Sequence, residues 1–111
     1  MAYDEVLAER IRDLIEGEPG LTERKMFGGL AFLIRGNMAV GASGQGGVLV
    51  RVDPAESAAL VATTSARPME MRGRQLPGWL RVAPDDVRTE PELARWVEVG
   101  TSYARSLPAK Q

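Results

Sequence analysis

The serines and lysines are the side chains of this sequence that could supply a nucleophile and its base. The sequence contains no cysteine and no histidine, which removes the thiolate nucleophile and the general base most used near neutral pH. Lys25 and Lys110 are the only lysines that could replace a histidine. Ser106 lies four residues before Lys110, but Pro108 breaks the helical turn that would bring them together. We therefore predict that the chain is not an enzyme.

Four carboxylates cluster near the start of a predicted C-terminal helix. Asp85 and Asp86 precede this helix, and Glu90 and Glu92 lie in its first turn. Acidic side chains at these positions are stabilised by the positive end of the helix dipole. A divalent cation needs several converging oxygens at fixed geometry, which a short acidic stretch does not guarantee. We expect helix capping from these residues, with no metal ion and no cofactor.

Two glycine-rich segments could allow a ligand to approach the backbone closely. The segment 41–47 lacks the spacing and the lysine of a phosphate-binding loop, and a predicted strand follows it, so we interpret it as a hairpin loop. Gly28 and Gly29 are consecutive within a predicted strand. Glycines there mark a bulge or the close approach of another group. We favour a structural cause for this pair and keep a ligand contact as the alternative.

The basic side chains provide the best case for a binding surface. Residues 24–82 hold eight bases and three acids, whereas residues 1–23 hold seven acids and two bases, although the net charge is only −1. We predict that alternating apolar residues face the helices: Val50, Val52, Met69, Met71, Leu80 and Val82. The opposite face of the sheet would then carry Arg51, Glu70, Arg72, Trp79 and Arg81. Such a face suits an acidic protein surface or nucleic acid, unless it is solvated with Arg51 or Arg72 paired to Glu70.

The elements that position these residues follow from apolar periodicity. Apolar residues at helical spacing predict a helix over residues 3–16. The period then changes to two, which predicts a strand over 25–35, a two-residue turn at Gly36-Asn37, and strands over 37–42 and 48–52.

Two further helices are predicted from their capping residues. Asp53 suits the N-cap of a helix that ends near Thr64, with Glu56 in the reciprocal capping position. Thr89 and Glu92 fit a capping box for the last helix.

Short alternating segments over 68–72 and 78–82, connected by 73–77, predict two more strands. The order α-β-β-β-α-β-β-α indicates an α+β fold in two layers, an antiparallel sheet of about five strands with helices packed on one side. A chain of 111 residues can bury one core. No linker or internal repeat divides it, so we predict a single domain over residues 1–111.

Composition narrows the cellular setting. The hydrophobic content of 44% and the charged content of 26% are those of a globular domain rather than a disordered chain. No apolar run approaches the roughly 20 residues that span a bilayer. The N-terminus is acidic where a signal peptide would be basic. We expect a cytoplasmic location without membrane association.

Several segments together resemble one known family. Segment 24–38 reads RKMFGGLAFLIRGNM, with a Met-Phe-Gly-Gly core and a Gly-Asn-Met hairpin, and segment 47–53 reads GVLVRVD. Two later segments, 67–71 and 93–104, lie where the same pattern would place them. In this combination the chain resembles, over nearly its whole length, the N-terminal domain of the TfoX/Sxy family of competence regulators.

The resemblance implies a two-layer α+β fold with an antiparallel sheet. Full-length regulators of the family carry a second, C-terminal domain, so their activation of competence genes with the cyclic-AMP receptor protein is not expected to transfer to this domain alone. The family offers no established catalytic residues. The positions that match its pattern suit fold determinants as well as a site: Met26, Phe27, Gly28, Gly29, Asn37 and Arg51.

We predict a non-enzymatic regulatory or adaptor domain that binds a protein partner, in transcriptional control. The alternative is direct nucleic-acid binding through the face that carries Arg51, Arg72, Trp79 and Arg81, which a pI of 5.5 and an aromatic content of 5% disfavour. A third, weaker hypothesis is small-molecule binding near Gly28 and Gly29. A homodimer stays open, because unpaired sheet edges invite pairing.

Overall fold

A computed structural model of the chain describes residues 3–26 and 28–110. Within these residues it contains three α-helices, six strands and two short 3-10 turns, at Pro54–Glu56 and Pro84–Val87. The helices are α1 (Glu5–Ile15), α2 (Ser57–Thr63) and α3 (Glu90–Ser106). The strands are β1 (Leu21–Met26), β2 (Gly29–Ile34), β3 (Asn37–Ala42), β4 (Val48–Arg51), β5 (Arg67–Met71) and β6 (Arg74–Val82).

The strands form one antiparallel sheet in the order β1-β2-β3-β4-β6-β5. This confirms the α+β prediction, with six strands where about five were expected.

The single strand predicted over 25–35 is wrong, because the chain reverses between Met26 and Gly29, which face each other across β1 and β2. Gly28 lies in this reversal with a φ of +76°, and a side chain disfavours that region of the backbone map. Phe27 lies outside the described residues.

Two hairpin turns differ from their predicted positions by a few residues. The β2–β3 turn is at Arg35-Gly36, with φ values of 53° and 84°, and Asn37 is the first residue of β3. The β5–β6 turn is at Arg72-Gly73, with φ values of 54° and 77°. Both pairs place two consecutive residues at positive φ, as the tight turns of two-residue hairpins require.

Capping side chains begin α1 and α3, but the predicted start of the second helix is wrong. Asp53 caps the 3-10 turn Pro54–Glu56, and Glu56 makes no side-chain capping bond at the start of α2. The Asp4 carboxylate accepts hydrogen bonds from the backbone N–H groups of Val6 and Leu7, at 2.9 and 3.1 Å. Thr89 and Glu92 form the predicted capping box at the start of α3. No helix within residues 3–26 and 28–110 is both long and apolar enough to cross a membrane.

All three helices pack on the same side of the sheet, which we call the helix-covered face. The buried residues of α1 and α3 join one cluster with strand residues, and Leu60 and Val61 of α2 pack against it. Its strand members come from the central sheet: Leu30, Phe32, Ile34, Ala39, Val40, Ala42, Val48, Val50, Leu80 and Val82. This side chain set is aliphatic apart from one phenylalanine, and it forms the main core.

The other side of the sheet, which we call the open face, has a smaller cluster of its own. Its buried members are Ala31, Leu33, Met38, Leu49 and Met69, with Met26, Leu76 and Trp79 packed against them. Every member is a strand residue, so this cluster is built from the sheet alone. Because strand side chains alternate, β2, β3, β4 and β6 supply both clusters.

The prediction that Met69 faces the helices is wrong. The cross-strand partner of Leu80 is Pro68, so the next residue along β5, Met69, points to the open face. A register shift between Pro68 and Glu70 then makes Glu70 the partner of Gln75. A one-residue displacement of this kind moves side chains to the opposite face, and alternation in the sequence does not reveal it.

Candidate interaction surface

The pairing register places four arginines on the open face. Cross-strand partners share a face of the sheet. Arg24 of β1 pairs with Ala31, and Arg81 of β6 pairs with both Leu49 of β4 and Arg67 of β5. Arg51, at the end of β4, pairs with Trp79. Ala31, Leu49 and Trp79 all belong to the open-face cluster, so Arg24, Arg51, Arg67 and Arg81 surround an apolar centre.

Within the described part of the chain, no carboxylate occupies a strand position on this face. Glu23 of β1 faces the helices, since it pairs with Arg12 of α1 at 2.6 Å. Glu70 of β5 pairs with Gln75, and Gln75 directly precedes Leu76 of the open-face cluster, so alternation places Gln75 and Glu70 on the other side of the sheet. The remaining acidic residues lie in the helices, the 3-10 turns and the loops. Among the described residues, the charged side chains at strand positions of the open face are therefore arginines.

The apolar centre of the open face is only partly closed. Met26, Leu76 and Trp79 are half-buried. Methionine side chains are unbranched and polarisable, so they adapt to irregular partner surfaces. The face thus combines an adaptable apolar centre with fixed positive charge around it.

Arg51 connects this face to the helix layer. Its guanidinium carbon lies 4.9 Å from the centroid of the Trp79 ring and 5.7 Å from that of Tyr103 on α3. Both distances are within the range of cation–π attraction. Arg51 is therefore held against two aromatic rings, rather than paired with Glu70.

The other predicted contact residues occupy different settings. Arg81 donates a hydrogen bond from Nη1 to Oε1 of Gln45 at 2.7 Å, which orients its guanidinium. Arg72 lies in the β5–β6 turn and is exposed, apart from the group formed by Arg51, Trp79 and Arg81. The ion pairs of the described residues involve only Arg12 and Arg105, so neither Arg51 nor Arg72 pairs with Glu70.

Sequence reasoning missed Arg24 and Arg67 as members of the open face. Arg24 precedes the strand that was predicted to begin at residue 25, because the polar sequence of β1 gives no alternation of apolar residues. Arg67 precedes the strand predicted over 68–72. The signal that could have found them is the cross-strand register, which requires the partner strand to be known.

The two candidate close-approach glycines have different surroundings. A Cβ at Gly29 would lie 2.1 Å from the carbonyl oxygen of Ala42 on β3. A Cβ at Gly28 would meet no atom within 4 Å, although the φ of +76° there disfavours a side chain. The backbone of β3 therefore excludes a side chain at Gly29, and the turn geometry disfavours one at Gly28.

Electrostatic pairing on the helix side lowers the pKa of three glutamates. Glu18 and Glu23 have a lowered pKa because each accepts hydrogen bonds from an arginine, Arg105 and Arg12 respectively. The pKa of Glu92 is lowered by its capping bonds with Thr89. The three glutamates thus connect a loop to α3, connect β1 to α1, and cap α3, respectively. Among the residues that the structure describes, no group of three or more acidic side chains could hold a metal ion.

Comparison with known proteins identifies a family. The family model described as the TfoX N-terminal domain matches residues 13–104 of the 111-residue chain. The matched region includes all six strands and nearly all of α3. No curated protein matches the chain.

Proposed function

The chain belongs to the TfoX N-terminal domain family, and from this premise we propose that it is a non-enzymatic regulatory or adaptor domain that acts through protein–protein contacts. The open face is the proposed contact surface. Transcriptional control is the setting that the family resemblance implies for such a domain.

The segregation of charge on the sheet is the observation that supports this proposal. Arg24, Arg51, Arg67 and Arg81 lie on the open face around a Met- and Trp-containing centre. Interfaces between proteins are enriched in Arg, Trp and Met, with the apolar residues at the centre and the charges at the rim. The partner that fits this arrangement presents an acidic rim around an apolar patch.

The test uses two charge reversals on neighbouring residues of β1. Arg24→Glu reverses a charge on the open face, whereas Lys25→Glu makes the same change on the adjacent exposed residue, which faces the other way. Captured proteins are quantified from cell extract with each variant and with the wild type. We expect partners that the wild type and Lys25→Glu retain and that Arg24→Glu loses.

The same set of captured proteins with all three baits would contradict the proposal, as would a set that only Lys25→Glu loses. Circular dichroism of both variants confirms that neither change unfolds the chain. A partner identified in this way is then titrated against the purified variants, because a direct contact must show the same difference in affinity.

Direct nucleic-acid binding is the second candidate, and the absence of acidic strand residues from the open face of the described chain favours it. A face of this charge attracts phosphates, and its affinity for DNA would fall steeply as the salt concentration rises. Fluorescence anisotropy with labelled duplex and single-stranded DNA, at low and then moderate salt, tests this candidate. Binding that Arg81→Ala weakens and salt abolishes would support it. No binding at low salt would exclude it.

A further inference from the structure

A cavity of about 500 Å³ lies at the edge of the sheet where β5 and β6 pair. It is formed by the ends of these strands, by the β3–β4 loop and by the turn that follows β6. Its polar and loop residues are Gln45, Gly46, Ser65, Arg67, Arg81 and Asp86. This cavity is distinct from the apolar centre of the open face, although it shares two arginines with the rim.

The two arginines in the cavity form a cross-strand pair of like charge. Arg67 and Arg81 are direct partners across β5 and β6, a relation that brings the Cβ atoms of two residues to about 5 Å. Like charges in this arrangement destabilise a sheet. Neither guanidinium has a carboxylate oxygen within 4.0 Å among the described residues, so no ion pair with either arginine offsets the repulsion between them.

The surroundings of this pair are suited to an anion. Gln45 accepts a hydrogen bond from Arg81 at 2.7 Å, which holds one side of that guanidinium and leaves its other donors for a ligand. Ser65 contributes a hydroxyl group to the cavity. Asp86 also lines it, so the cavity has two positive charges against one negative charge.

We propose that Arg67 and Arg81 form a binding site for a phosphate group. Two guanidinium groups that line one cavity offer several N–H donors to a tetrahedral oxyanion, which can accept charge-assisted hydrogen bonds from both. A bound phosphate removes the repulsion between the arginines, and its charge is the opposite of theirs. This inference rests on the arginine pair and its cavity, and it does not depend on the proposed partner contact.

The phosphate group that this site binds can belong to free inorganic phosphate or to a phosphorylated side chain. Isothermal titration calorimetry at constant ionic strength compares inorganic phosphate with O-phosphoserine, and serine serves as the control without the phosphate. Equal affinity for the first two indicates that the phosphate group alone is recognised. Tighter binding of phosphoserine indicates a phosphorylated side chain as the source. No heat of binding from either would overturn the proposal.

Three substitutions locate the binding. Arg67→Gln and Arg81→Gln each remove donors to the anion, and we expect each to weaken phosphate binding about tenfold or more. Asp86→Asn removes the one negative charge in the cavity and should strengthen binding about two- to fivefold. Arg74→Gln, an exposed arginine at the far end of β6, is the matched control and should leave the affinity unchanged.

A stability measurement gives a second readout that does not need tight binding. In chloride buffer, Arg67→Gln should melt no lower than the wild type, because it removes the repulsion from Arg81. Replacing chloride by phosphate should raise the melting temperature of the wild type and leave that of Arg67→Gln nearly unchanged. An equal rise in the wild type, Arg67→Gln and Arg74→Gln would show a general salt effect and overturn the site.

Discussion

On the helix-covered face of the sheet, aliphatic side chains from β2, β3, β4 and β6 pack against three helices, whereas on the open face side chains from all six strands form a cluster of strand residues alone. The first cluster is large, and no methionine is among its described members. The second is small, and methionines make up a large part of it: Met26, Met38 and Met69. One face therefore holds most of the buried apolar side chains of the fold, and the other is the proposed contact surface.

The two faces of the sheet also differ in the charges that they carry. Acidic residues surround the helices, where Glu18 and Glu23 pair with Arg105 and Arg12, while the strands place arginines on the open face. A net charge of −1 conceals this separation, because the two sets nearly cancel. Net charge and pI thus say little about which partner such a domain attracts, since a partner meets only one face.

The largest expected effect is on the free energy of unfolding when either of two leucines on opposite faces of the sheet is replaced by alanine. Leu80→Ala on the helix-covered face should lower the free energy of unfolding by about 4 kcal/mol, because rigid aliphatic neighbours leave a cavity. Leu49→Ala on the open face should cost about 2 kcal/mol, because flexible methionines can fill part of the space. Both leucines are at most 5% exposed. Urea denaturation measures both, and equal losses would contradict this difference between the faces.

The second effect concerns the close approach of α3 to the sheet. A Cβ at Gly100 would lie 2.2 Å from the carbonyl oxygen of Ala39, so Gly100→Ala must push the helix away from β3. Overpacking costs about 3 kcal/mol, and the better helix propensity of alanine returns about 1 kcal/mol. We expect a net loss of about 2 kcal/mol in thermal or urea unfolding.

Gly73→Ala is the comparison for this substitution, because no atom lies within 4 Å of a Cβ there and the φ of +77° is the only obstacle. Its cost should be about 1 kcal/mol. If Gly100→Ala proved neutral or stabilising, α3 would not be held at this distance from the sheet.

The third effect tests whether Arg51 is held by aromatic rings. Arg51→Ala should lower stability by about 1 kcal/mol, since cation–π contacts at partly exposed sites contribute about this much. A double-mutant cycle with Trp79→Leu isolates the pair, and we expect a coupling energy of about 0.5 kcal/mol or more. Arg81→Ala in the same cycle is the control, because the Arg81 guanidinium donates its hydrogen bond to the Gln45 side-chain amide at 2.7 Å. A coupling energy near zero for Arg51 would mean that the rings and the guanidinium are independent.

The features that the sequence predicted well are those specified by neighbouring residues. The α1 periodicity and the Thr89–Glu92 capping box are local signals, and both agree with the structure. The face of Met69 was wrong because it depends on a register shift in β5, which only its partner strand reveals. β1 was missed because an edge strand needs no apolar alternation, and its exposed residues are polar or charged.

The candidate surface was predicted only in part, because strand pairing decides which side chains share it. Arg51, Trp79 and Arg81 were expected on one face, and the regular pairing of β4 with β6 brings them together there. Arg72 was expected with them, but it is a turn residue. Arg24 and Arg67 reach the face through strand pairing at the two edges of the sheet, so their place could not be inferred from sequence spacing.

The smallest effect concerns acid sensitivity, which we expect to arise on the helix side. The hydrogen bonds from Arg105 hold the pKa of Glu18 below its usual range. A lowered pKa in the folded state stabilises the fold above the unfolded pKa of glutamate, and this contribution is lost as the pH falls through the folded pKa. Glu18→Gln should therefore cost about 0.5 kcal/mol at pH 7, the size of a surface ion pair, and the gap to the wild type should close near pH 3.

The open face should behave differently in the same experiment. Arg24→Gln removes a charge that has no carboxylate beside it on that face of the described chain, so its small effect on stability should stay constant between pH 7 and pH 3. Glu16→Gln, an exposed glutamate at the end of α1, controls for the loss of one acidic group without the arginine. Urea unfolding curves at each pH give the three gaps. Two results would show that the Glu18–Arg105 pair is not the source of acid sensitivity. One is a stability gap for Glu18→Gln that persists at pH 3, and the other is a gap that closes equally for Glu16→Gln.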